Sequence, residues 1–140
     1  MTDVASAMIA AQEAALRASA TLATAMGGTA RIYTSVPTNA PFPYIILGDD
    51  QVLGDDDECT EANEIFSTVN VWSKPGTPSV AEIRVIAGLV KSILAAKLTP
   101  ATHEVVDYRH VETRFLTDPD FSSHAVILIH YWLTPSEVPG

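Results

Sequence analysis

Hydrophobic and polar positions along the chain predict seven elements of secondary structure. Apolar residues recur at helical spacing over residues 3–26 and again over residues 78–98. Alternating or continuous apolar runs, which are typical of β-strands, occupy residues 30–36, 44–54, 64–73, 103–116 and 124–133. The predicted order of elements along the chain is therefore α-β-β-β-α-β-β.

Glycine and proline mark the boundaries between these elements. Gly27-Gly28 ends the first predicted helix, because glycine adopts the left-handed conformation at little cost. Three prolines within residues 37–43 make that segment a rigid extended connection. Thr77 as an N-cap followed by Pro78 predicts the start of the second helix, and Pro100 predicts that it has ended.

The strands show which of their faces is buried. In residues 64–73, Ile65, Val69 and Val71 share one face, and the other face carries larger or more polar side chains. The strand at 124–133 is apolar on both faces, which predicts an interior strand that is covered twice. We predict an α+β fold, with a single antiparallel sheet of about five strands packed by two helices.

Composition limits the class of protein. The chain has 140 residues, which predicts one domain over 1–140 with a mobile tail at 135–140. Hydrophobic residues make up 47% of it, so a disordered chain is excluded. One cysteine excludes an internal disulfide framework. The formal net charge of −9 argues against a protein that grips nucleic-acid phosphates.

Acidic residues are concentrated in one segment, residues 49–64, which contains no lysine or arginine. Its eight acids are Asp49, Asp50, Asp55, Asp56, Asp57, Glu58, Glu61 and Glu64. We interpret the segment as an acidic loop or hairpin tip, either solvated or facing a pore or a partner's basic patch. A calcium loop is disfavoured because the acids are contiguous and Gly54 precedes them.

The chain offers few residues for catalysis. Cys59 lies among acids, which raise the pKa of a thiol and so oppose nucleophilic chemistry. His103 and His110 lie on a predicted strand that can share a sheet with the strand of His130, so a histidine–carboxylate site stays open, although half-polar strand positions are the simpler and favoured explanation of these residues. No glycine-rich phosphate loop is present in the sequence. We expect no catalytic residues, no cofactor and no metal.

We also expect no membrane or targeting segment. The alanine-rich start lacks a basic leader, and no apolar run approaches the roughly 20 residues that span a bilayer. The protein is therefore expected to be made in a cytoplasm.

Five short segments, in order and at matching spacing, resemble the phage tail completion, or tail terminator, family. They are Arg31-Ile32-Tyr33, Val36-Pro37, the run from Ala40 to Gly48, the run from Val69 to Ser73, and Leu116 to Asp120 leading into a strand. The resemblance covers nearly the whole chain. It implies structural roles for nine residues: Arg31, Tyr33, Pro37, Pro41, Pro43, Tyr44, Trp72, Asp118 and Pro119.

The resemblance implies a structural protein of a virion rather than an enzyme. Such terminators form a homohexameric ring at the head-proximal end of a long non-contractile tail. The expected partners are copies of the chain itself, the tail tube protein and the head–tail connector or stopper protein. DNA passes only transiently through the lumen, and no membrane is involved. We expect the acidic segment to line that lumen or to face the tube.

Two other classes of protein stay open from the sequence. One is another head–tail interface protein, such as a stopper or a tube subunit, and the latter would polymerise alone into tubes. The other is a small-ligand-binding or enzymatic α+β domain that uses histidine and aspartate at strand ends. Such a domain requires a pocket with perturbed titratable groups.

Overall fold

The computed structural model of the protein describes residues 3–57 and 60–135. Within these ranges the chain forms three helices, α1 (Val4–Arg17), α2 (Ala20–Ala25) and α3 (Thr77–Leu94). It also forms five strands, β1 (Ile32–Tyr33), β2 (Tyr44–Asp57), β3 (Thr60–Ser73), β4 (His103–Thr117) and β5 (Ser123–Pro135). The α+β class and the order of the predicted strands are confirmed.

The strands form one sheet in the order β1-β2-β3-β5-β4. All neighbouring pairs are antiparallel except β1 and β2, which run parallel and pair Ile32 with Ile45. The sheet is therefore mixed, which corrects the predicted antiparallel sheet. The proline-rich connection brings the chain back to the end of the sheet from which β1 began, so both strands run the same way.

One face of the sheet is covered by the helices and forms the core. Ile65, Val69 and Val71 are buried there, as predicted, together with the inward stripe of α3. That stripe consists of Ile83, Ile86, Ala87, Val90 and Leu94. The helical spacing of these side chains is the reason that α3 lies flat on β3 and β5.

The predicted first helix is broken into two. Helix α1 ends at Arg17, and Ser19 takes an extended conformation in which its hydroxyl accepts the backbone N–H of Leu22 at 3.1 Å. A serine side chain competes for backbone hydrogen bonds in this way and favours a cap over a helix interior. The second predicted helix also begins one residue early, with Gly76 rather than Thr77 at its N-cap, and it ends at Leu94.

The other face of the sheet, which we call the open face, is not covered by any of the three helices within residues 3–57 and 60–135. In β5, Ile127, Ile129 and Leu133 are buried on the helix side, whereas Val126 and Leu128 on the open face are only partly buried. The prediction that this strand is covered on both faces is therefore wrong within the chain. The reason is that the helices all pack on the side that holds the core.

The acidic segment is a β-hairpin rather than a loop. Its described residues extend β2 and β3 as a ladder that is unbroken from the Asp49–Thr68 pair to the Asp57–Thr60 pair. Strand β3 pairs with β5 only from Asn63 onward, so the hairpin continues beyond the rest of the sheet as a two-stranded ribbon. Glu58 and Cys59 lie outside the described residues, as does the predicted mobile tail except for Pro135, which ends β5.

Candidate functional site

Arg31 holds the start of the sheet to the end of α2. Its guanidinium donates hydrogen bonds to the carbonyl oxygens of Pro43 at 2.9 Å, Met26 at 3.0 Å and Phe42 at 3.0 Å. The planar fork of arginine suits several acceptors at once, which a lysine ammonium cannot match. Arg31 thereby fixes the last turn of the proline-rich connection, where the Phe42–Pro43 peptide bond is cis.

Four aromatic side chains form a row across the open face, and we call them the aromatic row. They are Tyr33, Tyr44, Trp72 and His124, one from each of β1, β2, β3 and β5. Their ring centroids are 6.3 Å apart for the tyrosine pair, 5.4 Å for Tyr44 and Trp72, and 4.2 Å for Trp72 and His124. All four are partly buried, although none of the described helices covers them.

Asp118 joins the turn after β4 to the aromatic row. The Trp72 indole Nε1–H donates to Asp118 Oδ2 at 2.7 Å, and His124 Nδ1 lies 3.3 Å from Asp118 Oδ1. His124 Nε2 lies 2.7 Å from Asn70 Oδ1. The resemblance singled out Tyr33, Tyr44, Trp72 and Asp118, and the structure brings these four residues into one network.

The three other prolines of the predicted signature lie apart from this network. Pro37 and Pro41 are exposed in the connection before β2, and Pro119 is exposed in the turn after β4. Their restricted backbone suits turns and extended connections, so their contribution is to chain direction rather than to a contact surface.

A second aromatic cluster lies on the open face nearer the hairpin. The His130 ring stacks on Phe66 with centroids 3.9 Å apart and approaches the Trp132 ring to 3.6 Å. His130 Nε2 lies 3.0 Å from Glu64 Oε1, so one predicted acidic residue is paired with a histidine. Beside this cluster is a shallow hollow of about 400 Å³ lined by Asp49, Asp50, Gln51, Phe66, Thr68 and Leu128.

Sequence reasoning missed His124, Asn70 and His130 as members of these networks. The alternation along β3 and β5 places them on the open face, and this signal was available. What joins them is the register that pairs Asn70 with Val126 and Phe66 with His130. Register depends on both strands together and is not readable from either one alone.

The acids at the base of the hairpin face opposite sides of the sheet. Gly48 has φ 112°, and the register shifts by one residue between Ile46 and Asp49. As a result Asp49 is exposed, whereas Asp50 points towards the helices. A one-residue slip exchanges the two faces of a strand, so this bulge decides which acid is buried.

The Asp50 carboxylate lies in a buried polar cluster under α1. Burial raises the pKa of Asp50 to about 6, the Ser67 hydroxyl opposes the shift, and the negative charge of Asp49 adds to it. Gln12 is fully buried and its Nε2 lies 3.4 Å from Tyr131 Oη. Burial raises the pKa of Tyr131 as well, and the nearby Asp50 charge contributes to that shift.

The remaining acids of the predicted segment are located only through their backbone. Asp55, Asp56 and Asp57 belong to β2 and Glu61 belongs to β3, while their side chains lie outside the described part of the structure. The cluster of negative charge at the end of the hairpin is therefore established by sequence and by strand position.

The histidines considered for a metal site do not converge. His103 Nδ1 lies 3.0 Å from the Ala101 carbonyl oxygen, His110 Nε2 lies 2.7 Å from Thr113 Oγ1, and His130 is paired with Glu64. Among residues 3–57 and 60–135, no three side chains of histidine, cysteine, aspartate or glutamate form a group that could hold a metal ion. The described geometry instead provides contact surfaces, namely the aromatic row and the second aromatic cluster on the open face.

Comparison with known protein families identifies the family of this chain. The family described as tail completion protein gp17 matches residues 12–134, which is most of the chain. The chain belongs to this family. The resemblance stated from its five sequence segments is thereby confirmed, and this tail completion protein is a component of a phage-type virion.

Two solved structures share the fold of this tail completion protein. A chain from the virion of a native gene transfer agent particle superposes with a TM-score of 0.82 at 22% sequence identity, covering 96% of this chain and 99% of the other. The bacteriophage SPP1 gp17 protein superposes with a TM-score of 0.59 at 20% identity, covering 97% and 94%. No curated protein sequence matches the chain. In the described part of the chain no helix is long and apolar enough to cross a membrane.

Proposed function

We propose that this tail completion protein is the tail terminator of a long non-contractile tail or of a related gene transfer particle. In this role it forms a homohexameric ring that caps the tail tube, stops its growth and presents a surface to the head-side connector or stopper. The observation that carries the proposal is the family match over residues 12–134, which takes in the aromatic row and the acidic hairpin. A fold shared with a chain of a gene transfer particle supports the same context.

The surface of the chain suits a subunit of an assembly. The open face presents two aromatic clusters, including Trp72 and Trp132, that α1, α2 and α3 leave uncovered in the described part of the chain. Aromatic residues are enriched in the buried centres of protein interfaces, because they supply large contact areas at low entropic cost. The function needs no reaction, and we propose that the protein has no enzymatic activity, no cofactor and no metal.

The acidic hairpin has a proposed place in the ring. Residues 49–64 contain eight acids and no base, which concentrates negative charge on the hairpin. DNA makes few lasting contacts with a wall of like charge, because phosphate binding depends on lysine and arginine. We propose that the end of the hairpin lines the lumen or faces the tube, so that DNA passes without being held.

Electron microscopy of particles with and without the gene tests the proposal. Loss of a terminator is expected to leave DNA-filled heads and separate tails, some of them of irregular length. Complete infectious particles in the absence of the gene would contradict the proposed function and favour the ligand-binding class. Long tubes formed by the purified protein alone would instead identify a tube subunit.

A further inference from the structure

The sheet has two unpaired edges, one on each side. Strand β1 pairs with β2 only at Ile45 and Ile46, so among the described residues the part of β2 from Gly48 to Asp57 is bonded on one side only. Strand β4 forms the opposite edge over its whole length. Unpaired edges carry free backbone donors and acceptors and readily add another strand.

The two edges run in opposite directions. Strands β2 and β3, β3 and β5, and β5 and β4 are each antiparallel, so β2 and β4 are antiparallel to one another. When identical copies stand side by side in the same orientation, the β4 edge of one therefore meets the β2 edge of the next in an antiparallel manner. Repetition of this head-to-tail contact gives a closed ring when the rotation between copies closes.

Regular runs of backbone are available on both edges. Register shifts interrupt β4 between Val105 and Asp107 and again between His110 and Glu112, which leaves Glu112–Thr117 as an unbroken run. On β2 the run after the bulge, from Asp49 onward, is also unbroken. Bulges protect an edge from pairing, so these two runs are the segments free to pair.

Side chains on the two runs complement each other. Val52 and Leu53 on β2 are each 40% exposed, and Phe115 and Leu116 on β4 are 40% and 39% exposed. Antiparallel pairing brings such apolar side chains from water into cross-strand contact. The β2 run carries acids and no base, whereas the β4 run carries Arg114 at its centre and one acid, Glu112, at its start.

We infer that Glu112–Thr117 of one copy adds to the β2 edge, at Asp49–Gly54, of a second copy of this chain. In the ring, these two edges are the surfaces through which neighbouring subunits join. The inference rests on the proposed function, which supplies the ring. Arg114 and Asp49 each occupy open-face positions, since their ladder partners Val126 and Thr68 lie on that face. The end of the hairpin beyond Gly54 stays outside the contact.

Zero-length crosslinking tests this inference. The Arg114→Lys variant keeps the charge and supplies an amine, which a carbodiimide joins to an adjacent carboxylate. Within one copy β2 and β4 are three strand spacings apart, about 14 Å, which is beyond the reach of such a link. The matched control is Arg109→Lys, which lies on the same strand and face but between the two interruptions of β4.

The expected product is a peptide that joins position 114 to Asp49, about tenfold more abundant than any product from position 109, because contacts set by strand spacing fall off over one or two residues. Equal yields from both positions, or links from the hairpin acids only to Lys74 or to another protein, would overturn the inference. The links are sought both in purified tails and in the concentrated protein. Absence of the protein from tails would refute the proposed function. In that case the crosslinks in the concentrated protein still show whether β4 of one copy pairs with β2 of another.

A backbone test complements the crosslinking. Proline removes the N–H at its position, and in adjacent residues of an edge strand one N–H points inward and the next points outward. At one of the two positions Thr113 and Arg114, the backbone N–H points away from β5. The proline variant at that position, Thr113→Pro or Arg114→Pro, is expected to keep the melting temperature of the monomer and to lose self-association. Self-association that survives in this folded variant would also overturn the inference.

Discussion

The Asp50 carboxylate is turned towards α1 by a single irregularity of the β2 backbone. The bulge at Gly48 places an acid where the strand pattern calls for an apolar side chain, among Gln12, Ser67 and Tyr131. Neither carboxylate oxygen accepts a well-formed hydrogen bond from the described residues. An ionised carboxylate in such surroundings is costly, and the raised pKa of about 6 expresses that cost.

Folding stability is therefore expected to depend on the protonation of Asp50. Because its folded pKa of about 6 exceeds the ordinary value of 3.8, the folded protein binds this proton more tightly, and stability is lost as the pH rises from 4 to above 6. Asp50→Asn is expected to remove this loss and to be more stable at pH 8 by about 1–2 kcal/mol, allowing for partial solvent screening. Urea unfolding between pH 4 and pH 8 measures the difference, with Asp107→Asn, at an exposed position on β4, as the control. Identical pH profiles for wild type and Asp50→Asn would contradict the expectation.

Asp118 is expected to stabilise the aromatic row through its hydrogen bond to Trp72. Asp118→Ala leaves the half-buried indole N–H without its acceptor and is expected to lower the free energy of unfolding by about 1–2 kcal/mol. Asp118→Asn keeps an acceptor oxygen for that N–H and is expected to lose less. Thermal and urea unfolding of both variants give the comparison. An equal loss for both would show that the charge of Asp118, rather than the acceptor, is what matters.

At the scale of the elements, local pattern predicted most of what formed. Alternation placed Ile65, Val69 and Val71 in the core, and helical spacing identified the buried stripe of α3. The break between α1 and α2 was not predicted, because alanine-rich sequence favours a helix and the cap at Ser19 competes only locally. The parallel pairing of β1 and β2 was missed since strand direction depends on how the connection between them runs.

For the candidate site, too, the sequence indicated individual residues but not the contacts between them. The signature residues Trp72 and Asp118 could be selected from the sequence, yet their contact depends on the turn after β4 meeting the end of β3. The inward position of Asp50 depends on a bulge, for which Gly48 was the only sequence signal. Long-range register and backbone irregularities involve several segments at once, and the pattern within one segment does not contain them.

The cap at Ser19 gives a test at the scale of the elements. Ser19→Ala removes the acceptor for the Leu22 N–H at the start of α2 and is expected to cost about 1 kcal/mol of stability. Ser19→Asn restores a capping side chain and is expected to cost less. Urea unfolding measures both changes, and amide exchange of Leu22 reports whether the loss is confined to α2. Equal stability of Ser19→Ala and wild type would show that the contacts of α2 with α3 alone define it.

At the scale of the whole molecule, negative charge is concentrated on one projecting hairpin. The other 124 positions carry nine acids and eight bases, so the rest of the chain is nearly neutral. In a ring of identical copies this charge is repeated around the axis, and its effect on DNA is summed. The base of the hairpin serves the proposed subunit contact, while its end is left to face the lumen or the tube.

Neutralising the end of the hairpin tests that arrangement. Asp55→Asn, Asp56→Asn and Asp57→Asn together are expected to slow DNA delivery from otherwise complete particles, because a less negative wall allows DNA phosphates to be held. The effect is expected to be larger at low salt, since added salt screens these charges. The control is the same number of changes in exposed residues of α1. Unchanged delivery at both low and high salt would contradict the proposed role.

The open face also gives the molecule two built-in optical probes. Its only two tryptophans, Trp72 and Trp132, lie at opposite ends of this face, and each ring packs against a histidine. Indole emission responds to the exclusion of water, so covering either end changes the signal from the tryptophan located there. Phenylalanine at one position leaves the other as the sole emitter. Binding of tube or connector to this face can therefore be followed without a label and assigned to one end of the sheet.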